Sequence, residues 1–254
     1  MSNRARPTVG IFGLTGCAGD QLAILNCEDE LLDLVDVLDV RDFLMASSDN
    51  DEDAHLDIAL VEGAVLSGRD EAKVKAIRER ADTVIALGTC ALHGGVPIMD
   101  RDHDRAALLR QVYGDLGSSY DSCGAKPLHE VIEVDLGIPG CPIEKDEFLA
   151  AIAHLLAGDP PLGREYPVCA ECKMAENDCV LIRPDAFCMG PVTAAGCGAR
   201  CPALRVGCVG CRGPAVDANM PALVAAYEER GMSRDVIERK MRTFAAVATE
   251  RQGS

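Results

Sequence analysis

An α/β domain built on a parallel sheet, followed by a cysteine-rich, mostly irregular module with C-terminal helices, is the fold class the sequence predicts. Three observations predict it. Short apolar runs alternate with helical patterns through the first 158 residues. Of the 13 cysteines, 5 precede residue 159 and 8 lie between Cys169 and Cys211. Charge divides at the same point: residues 1–158 carry 13 Lys+Arg and 29 Asp+Glu, whereas residues 159–254 carry 12 of each. The expected domains are therefore 1–158 and 159–254.

The elements follow in order. After Pro7, residues 8–14 (TVGIFGL) read as a short apolar strand with a β-branched start. It opens into a Gly-rich turn, residues 15–20. Leu22, Ile24, Leu25, Leu31, Leu32 and Val35 then read as one helical stretch, with Cys27 inside it. Further strands are expected at residues 56–65, 83–87 and 131–138. Residues 70–80 form a charged helix with Val74 and Ile77 on one face. Strand–helix alternation with apolar strands implies a parallel sheet covered on both faces. Residues 220–230 and 233–247 read as two amphipathic helices broken at Gly231, with Ser233 as a cap.

Composition excludes several classes. At 48% hydrophobic the 254-residue chain can build a core, and disordered or collagen-like readings fail. The apolar stretch at 148–157 is about half a bilayer span, so no transmembrane helix is expected. The first residues lack a secretory apolar core and an adjacent twin-Arg pair, which points to the cytoplasm. A net charge of −16 argues against nucleic acid and anionic membrane as partners.

Ligands of parallel sheets sit beyond the carboxyl ends of the strands. There the chain offers Cys17, then Glu62-Gly63, then Gly88-Thr89-Cys90, then Pro139-Gly140-Cys141-Pro142. Three cysteines, each after a strand in a Gly-flanked turn, point to one shared site. The first turn has no Lys and neither phosphate-loop pattern, and it holds Asp20 where a phosphate needs a donor. The acidic run at 49–53 lacks the Gly and distant Glu of a calcium loop and reads as a solvated turn. Cys27 and Cys123 read as spare thiols. His93 either touches the site or stabilises its turn.

The module runs Cys169-x2-Cys172-x6-Cys179-x8-Cys188-x8-Cys197-x3-Cys201-x6-Cys208-x2-Cys211. A reducing compartment disfavours disulfides. Eight thiolates divide into two four-ligand metal sites, and spacing alone leaves zinc open. The Gly and Pro beside the cysteines, with a separate three-cysteine site in the body, favour iron–sulfur clusters. A zinc-stabilised interaction protein is the competing class.

LTGCAGDQ, LVEGAV, ALGTCALHGG, IPGCP, YPVCAEC and the C-x3-C-P…C-x2-C ending together resemble the small, electron-transferring subunit of nickel–iron hydrogenases. The likeness is greatest to the delta-type subunit of the cytoplasmic NADP-linked, sulfhydrogenase-like group, and it runs from about residue 8 to the C-terminal helices. It implies a flavodoxin-like N-terminal domain and three clusters in line. The proximal cluster would be held by Cys17, Cys90, Cys141 and the position occupied by Asp20. The distal cluster would be held by Cys169, Cys172, Cys179 and Cys188, and the medial one by Cys197, Cys201, Cys208 and Cys211. An exchange of Cys188 and Cys197 is the alternative partition.

Membrane-linked relatives place His at the position of Cys169 and Pro near Cys201. Cysteine at both implies that all three clusters are 4Fe-4S. Asp20 replaces a family cysteine. A carboxylate can bind iron, so Asp20 is expected as a ligand, the alternative being that it caps the first helix. Glu62 corresponds to a family position beside the proximal site, where it either assists proton movement or hydrogen-bonds a turn. Arg200, Arg205 and Arg212 would offset cluster charge or face a partner.

The resemblance implies no catalytic centre in this chain. The nickel–iron centre would lie in a large-subunit partner of a hetero-oligomer. Electrons from H2 would pass through the three clusters to a diaphorase-type flavin subunit that reduces NAD(P), reversibly. The alternative acceptor is an F420- or heterodisulfide-reductase partner.

Overall fold

A computed structural model describes residues 6–101, 103–159, 163–183 and 185–252. The reading of the N-terminus as leaderless falls largely on residues 1–5, outside the described residues. Residues 160–162, beside the expected domain boundary, lie outside them as well.

Five parallel strands form one sheet in the order β2-β1-β3-β4-β5, the order of flavodoxin-like domains. They are β1 (Thr8–Gly13), β2 (Asp39–Asp42), β3 (Leu56–Glu62), β4 (Ala81–Leu87) and β5 (Leu136–Ile138). Side chains alternate across the strands, as the pleat requires. Val9, Ile11, Ile58, Leu60, Ile85 and Leu87 enter one apolar layer with Ile24 of α1 (Gly19–Leu25), Leu34 of α2 (Leu31–Val37) and Phe148 and Ile152 of α6 (Lys145–Ala157). Phe12, Ala59, Val61, Val84 and Ala86 face the other way, against Val74 and Ile77 of α3 (Gly68–Arg80) and Ala91 of α4 (Gly88–His93). Each fully buried aliphatic or Phe side chain here contributes about 1.5–3 kcal/mol.

Register places the site. Gly13 pairs with Glu62, Glu62 with Leu87, and Leu87 with Ile138. Four strands therefore end level, and the segments carrying Cys17, Gly63, Cys90 and Cys141 leave the sheet side by side. Cys17 and Glu62 stand at the β1/β3 switch point, where such sheets open a crevice.

Four features differ from the sequence expectation or refine it. The first helical stretch is two helices, because the Asn26 and Cys27 N–H groups close α1 onto the carbonyls of Leu22 and Ile24. Cys27 lies in the break, fully buried, with its thiol 3.5 Å from the Ala23 carbonyl. The strand expected at 131–138 is reduced to Leu136–Ile138, since the Asp135 carboxylate takes the Val84 N–H that a longer strand would pair. The short edge strand β2 (DVRD) was not expected, and only Asp42 of it is buried. The segment 49–53 is a turn, as expected, tied by the Asn50 side chain to the Phe43 N–H at 2.7 Å.

Between α4 and β5 lies α5 (Arg105–Tyr113). The module contributes α7 (Val168–Met174), α8 (Arg200–Ala203), α9 (Met220–Glu229) and α10 (Arg234–Gln252), joined by irregular chain. The break between α9 and α10 falls at Gly231, with φ +86°. Val168, Met189, Val192, Met220, Leu223, Tyr227, Ile237 and Met241 form its own apolar cluster together with Cys188 and Cys208. Helix α10 packs on α4 and on the 3-10 turn Val96–Asp100, returning the end of the chain to the body.

Candidate metal centres

The first group of donors is gathered by the sheet edge. Cys17 is exposed in the turn after β1. Ala18 takes a left-handed conformation (φ 60°) at the N-cap of α1 without a side-chain capping bond. Asp20 follows in the first turn and is 6% exposed. Its carboxylate does not cap α1. Instead Oδ1 accepts the backbone N–H of Ile143 at 2.8 Å, tying the β1 turn to the loop after β5.

Glu62 supplies what the helix start lacks. Its Oε1 accepts the Asp20 N–H at 3.2 Å, and Oε2 accepts the Gln21 N–H at 3.2 Å and the Gln21 side-chain amide at 2.8 Å. Of the two roles expected for Glu62, these bonds show the turn-holding one. Burial lifts the Asp20 carboxyl to about 6, with the Ile143 N–H opposing and the Glu62 charge adding to the rise. Cys90, in the first turn of α4, and Cys141, after β5, both feel Asp20, Cys17 and Glu62. Their thiols are pushed up to about 11, chiefly by burial.

The module's cysteines neighbour one another in two groups that touch at Cys188, which stands near Cys201 and Cys208 as well as Cys169 and Cys172. Cys169 and Cys172 lie on α7, and the charged neighbours of Cys169 are Cys188, Cys172 and Cys179. Cys188 is buried and clamped by Tyr227 of α9. Its N–H donates to the phenol oxygen at 2.6 Å, and the phenol donates to its carbonyl at 3.0 Å. Cys211 has Cys197 and Cys201 as neighbours, and Cys141 of the body as well. Cys208 is pushed up to about 12, mainly by burial, with Cys188 and Cys211 as its charged neighbours. The Cys208 N–H donates to the Cys188 sulfur at 3.3 Å, so these two thiols mark the seam between the module's groups. Of the remaining cysteines, Cys27 is buried in the apolar layer on one face of the sheet, and the Cys123 N–H donates to the Leu66 carbonyl at 2.7 Å.

The donors fit iron–sulfur clusters on three counts. Thiolate ligands with a hard carboxylate at one corner suit iron. Glycines leave space against the sulfurs: a Cβ on Gly190 would stand 3.3 Å from the Cys169 sulfur and 3.5 Å from that of Cys188, and one on Gly95 would stand 2.6 Å from the Cys90 sulfur. The Asn177 side-chain nitrogen is buried with no oxygen or nitrogen partner, beside Cys172, whose thiol it lowers against the larger effect of burial. Among the described residues no three His, Cys, Asp or Glu side chains close on a single ion position.

Several supporting residues were not singled out by the sequence. Glu171, between Cys169 and Cys172, is buried and accepts the N–H groups of Gly196 and Ala199, at 2.9 and 3.3 Å, on either side of Cys197. Thr89 and Tyr227 are buried polar groups on cysteine backbones, and only the Thr in GTC lay inside a motif. Arg212, considered a charge-balancing or partner-facing residue, is 2% exposed and paired with Glu147 at 2.7 Å. Arg200 pairs with Glu144 at 2.7 Å, and Arg205 is exposed. His93 ends α4, and a Cβ on Gly213 of the module would stand 2.2 Å from its ring.

The family described as NADH ubiquinone oxidoreductase, 20 kDa subunit, matches residues 17–155. The chain is 40% identical over 237 residues to the delta subunit of sulfhydrogenase 2 of Pyrococcus furiosus, covering 93% of this chain and 98% of that one. It is 29% identical over 243 residues to one of the subunits of F420-non-reducing hydrogenase of Methanothermobacter thermautotrophicus, covering 81% and 78%. Among solved structures it resembles a chain of NAD+-reducing NiFe hydrogenase in the H2-reduced state. There the TM-score is 0.55 at 26% identity, covering 62% of this chain and 94% of that one.

Proposed function

The chain belongs to the NADH ubiquinone oxidoreductase 20 kDa subunit family, among its hydrogenase small subunits, and from that premise we propose a three-cluster electron carrier between two partners. It is an oxidoreductase subunit with an electron-transfer role, and its relatives imply a hydrogenase large subunit as partner in a hetero-oligomer. Cys17, Asp20, Cys90 and Cys141 hold the proximal cluster. Cys197, Cys201, Cys208 and Cys211 hold the medial one, and Cys169, Cys172, Cys179 and Cys188 the distal one. Each is a 4Fe-4S cluster, which supplies single-electron transfer between two-electron chemistries at either end.

The chain's own residues do the positioning. Glu62 fixes the Asp20–Gln21 turn through three N–H groups, and Ile143 fixes the Asp20 carboxylate. Both Glu62 oxygens are engaged, which supports a positioning role over proton movement. Separate apolar clusters, one set ending by residue 156 and the other beginning at Val168, support domains of 1–158 and 159–254. The large subunit supplies the nickel–iron centre, and a diaphorase-type flavin subunit takes the electrons to NAD(P). No helix among the described residues is long and apolar enough to cross a membrane, and we place the complex in the cytoplasm.

One observation carries the reading: donors from three separate chain segments, the turns after β1, β4 and β5, stand together at the carboxyl edge of the sheet, with eight further cysteines following in the module. Iron, sulfide and zinc content of the anaerobically purified complex tests it. About twelve iron and twelve sulfide per chain are expected. About two zinc and no sulfide would leave a zinc-bound interaction module instead. The likeness to an F420-non-reducing hydrogenase keeps a second reading beside the first, a partner other than an NAD(P)-reducing diaphorase, such as a heterodisulfide reductase. Reduction of NADP by the complex under H2 separates the two.

A further inference from the structure

One buried hydroxyl stands where the first and third cysteine groups approach. Thr89, which precedes Cys90, is 1% exposed. Its N–H donates to the Gly140 carbonyl at 2.7 Å, and Gly140 precedes Cys141. The Thr89 Oγ1 lies 2.9 Å from that same carbonyl and also donates to the carbonyl of Cys211. The side chain of the residue before Cys90 thus touches the backbone beside Cys141 and the backbone of the module's Cys211.

Arg212, next to Cys211, holds the same seam from the module side. Its Nη1 donates to the Pro139 carbonyl at 2.9 Å and its Nε to the Ala195 carbonyl at 2.9 Å. Nη2 makes a forked pair with Glu147 of α6, at 2.8 and 2.7 Å. A Cβ on Gly196 would stand 2.1 Å from the Arg212 guanidinium, so the position beside it admits only glycine. The fork geometry is specific to Arg, and a Lys cannot meet all three partners at once. Arg212 is buried with hydrogen bonds from all three of its nitrogens, while Glu147 is 19% exposed; a buried, satisfied guanidinium of this kind favours one arrangement of the groups around it.

We propose that Thr89 and Arg212 are positioning residues that fix the spacing of the proximal and medial groups, and that the Thr89–Cys211 hydrogen bond is the through-bond contact by which an electron crosses between them. The clusters these groups would hold would exchange a single electron there, one oxidised and the other reduced by one, with no bond formed or broken and no proton transferred. This rests on the assignment of clusters to both groups.

The test uses the complete complex with Thr89→Val, Thr89→Ser and Arg212→Lys. Iron and sulfide content of the unaltered complex reports on the cluster assignment alone. The midpoint of each cluster, the magnetic interaction between proximal and medial signals, and the rate of electron redistribution after a flash of reductant report on the junction. Thr89→Val is expected to keep its iron, slow redistribution several-fold and leave the distal midpoint unmoved, with Thr89→Ser restoring the rate. Arg212→Lys is expected to weaken the magnetic interaction. Redistribution at the unaltered rate in Thr89→Val, or an unchanged interaction in Arg212→Lys, in complexes with full iron content, would overturn the proposal. Should Thr89→Val lose iron, Arg212→Lys and Thr89→Ser decide it.

Discussion

The carboxylate of Asp20 and the backbone N–H of Ile143 meet at 2.8 Å, joining the turn after β1 to the loop after β5 across 123 residues of sequence. That bond occupies Oδ1. If Asp20 is a ligand, Asp20→Cys shifts the midpoint and spectrum of the proximal cluster and leaves the medial and distal ones alone. Proximal spectra identical to the unaltered protein would show that Asp20 does not touch the cluster.

Gly88 guards the same carboxylate. Its φ is +75°, and a Cβ there would stand 1.9 Å from Asp20 Oδ2. Gly88→Ala combines a left-handed cost of about 1–2 kcal/mol with overpacking of about 1–3 kcal/mol. Denaturant unfolding should show a loss in that range, with the proximal signal lost or altered first. An unfolding midpoint and proximal signal like those of the unaltered protein would contradict this geometry.

Tyr227→Phe removes both hydrogen bonds to the Cys188 backbone while keeping the stacked contact with Phe187, at 4.7 Å between ring centroids. Leaving those buried groups unpaired costs about 1–3 kcal/mol. The thermal unfolding midpoint should fall accordingly, and chelator should strip iron from the Cys169–Cys188 set faster than from the proximal one. Equal stripping rates would place the effect elsewhere.

Loading with iron and sulfide should depend steeply on pH. Burial raises the Cys90, Cys141, Cys169 and Cys211 thiols to about 11 and Cys208 to about 12. Near neutral pH they keep their protons until metal arrives, and each thiolate formed releases one. Loading therefore strengthens as pH rises, by about tenfold per pH unit for each proton released. Asp20 titrates lower: with its carboxyl raised to about 6, the ionised form needed by iron is lost as pH falls through that value. Reconstitution in weak buffer between about pH 6 and pH 9, with the released protons counted, checks both signs. Loading that is independent of pH would contradict them.

The sheet was legible because β1, β3 and β4 are apolar runs whose period and Gly-flanked ends announce themselves. The cysteines were legible by type and spacing. β2 was not, since DVRD has one apolar residue and is held by pairing with β1 rather than by its own pattern. The helix break at Asn26 was hidden because apolar residues resume at Leu31 in a similar phase. Glu62, Thr89, Glu171 and Tyr227 act through long-range bonds to backbone N–H and carbonyl groups, and no local pattern encodes which distant backbone a polar side chain will meet. Asp20 was noticed by position, yet its partner Ile143 follows only from the level ends of the strands.

Three four-iron clusters on this chain, as proposed, would carry the electrons of H2, and EPR of the complete complex, held first under argon and then under H2, would detect them. H2 should bring up signals of three interacting four-iron clusters, accounting for about twelve iron per chain. A spectrum that stays silent under H2 in a complex holding its nickel, or iron sufficient for only one cluster, would contradict it.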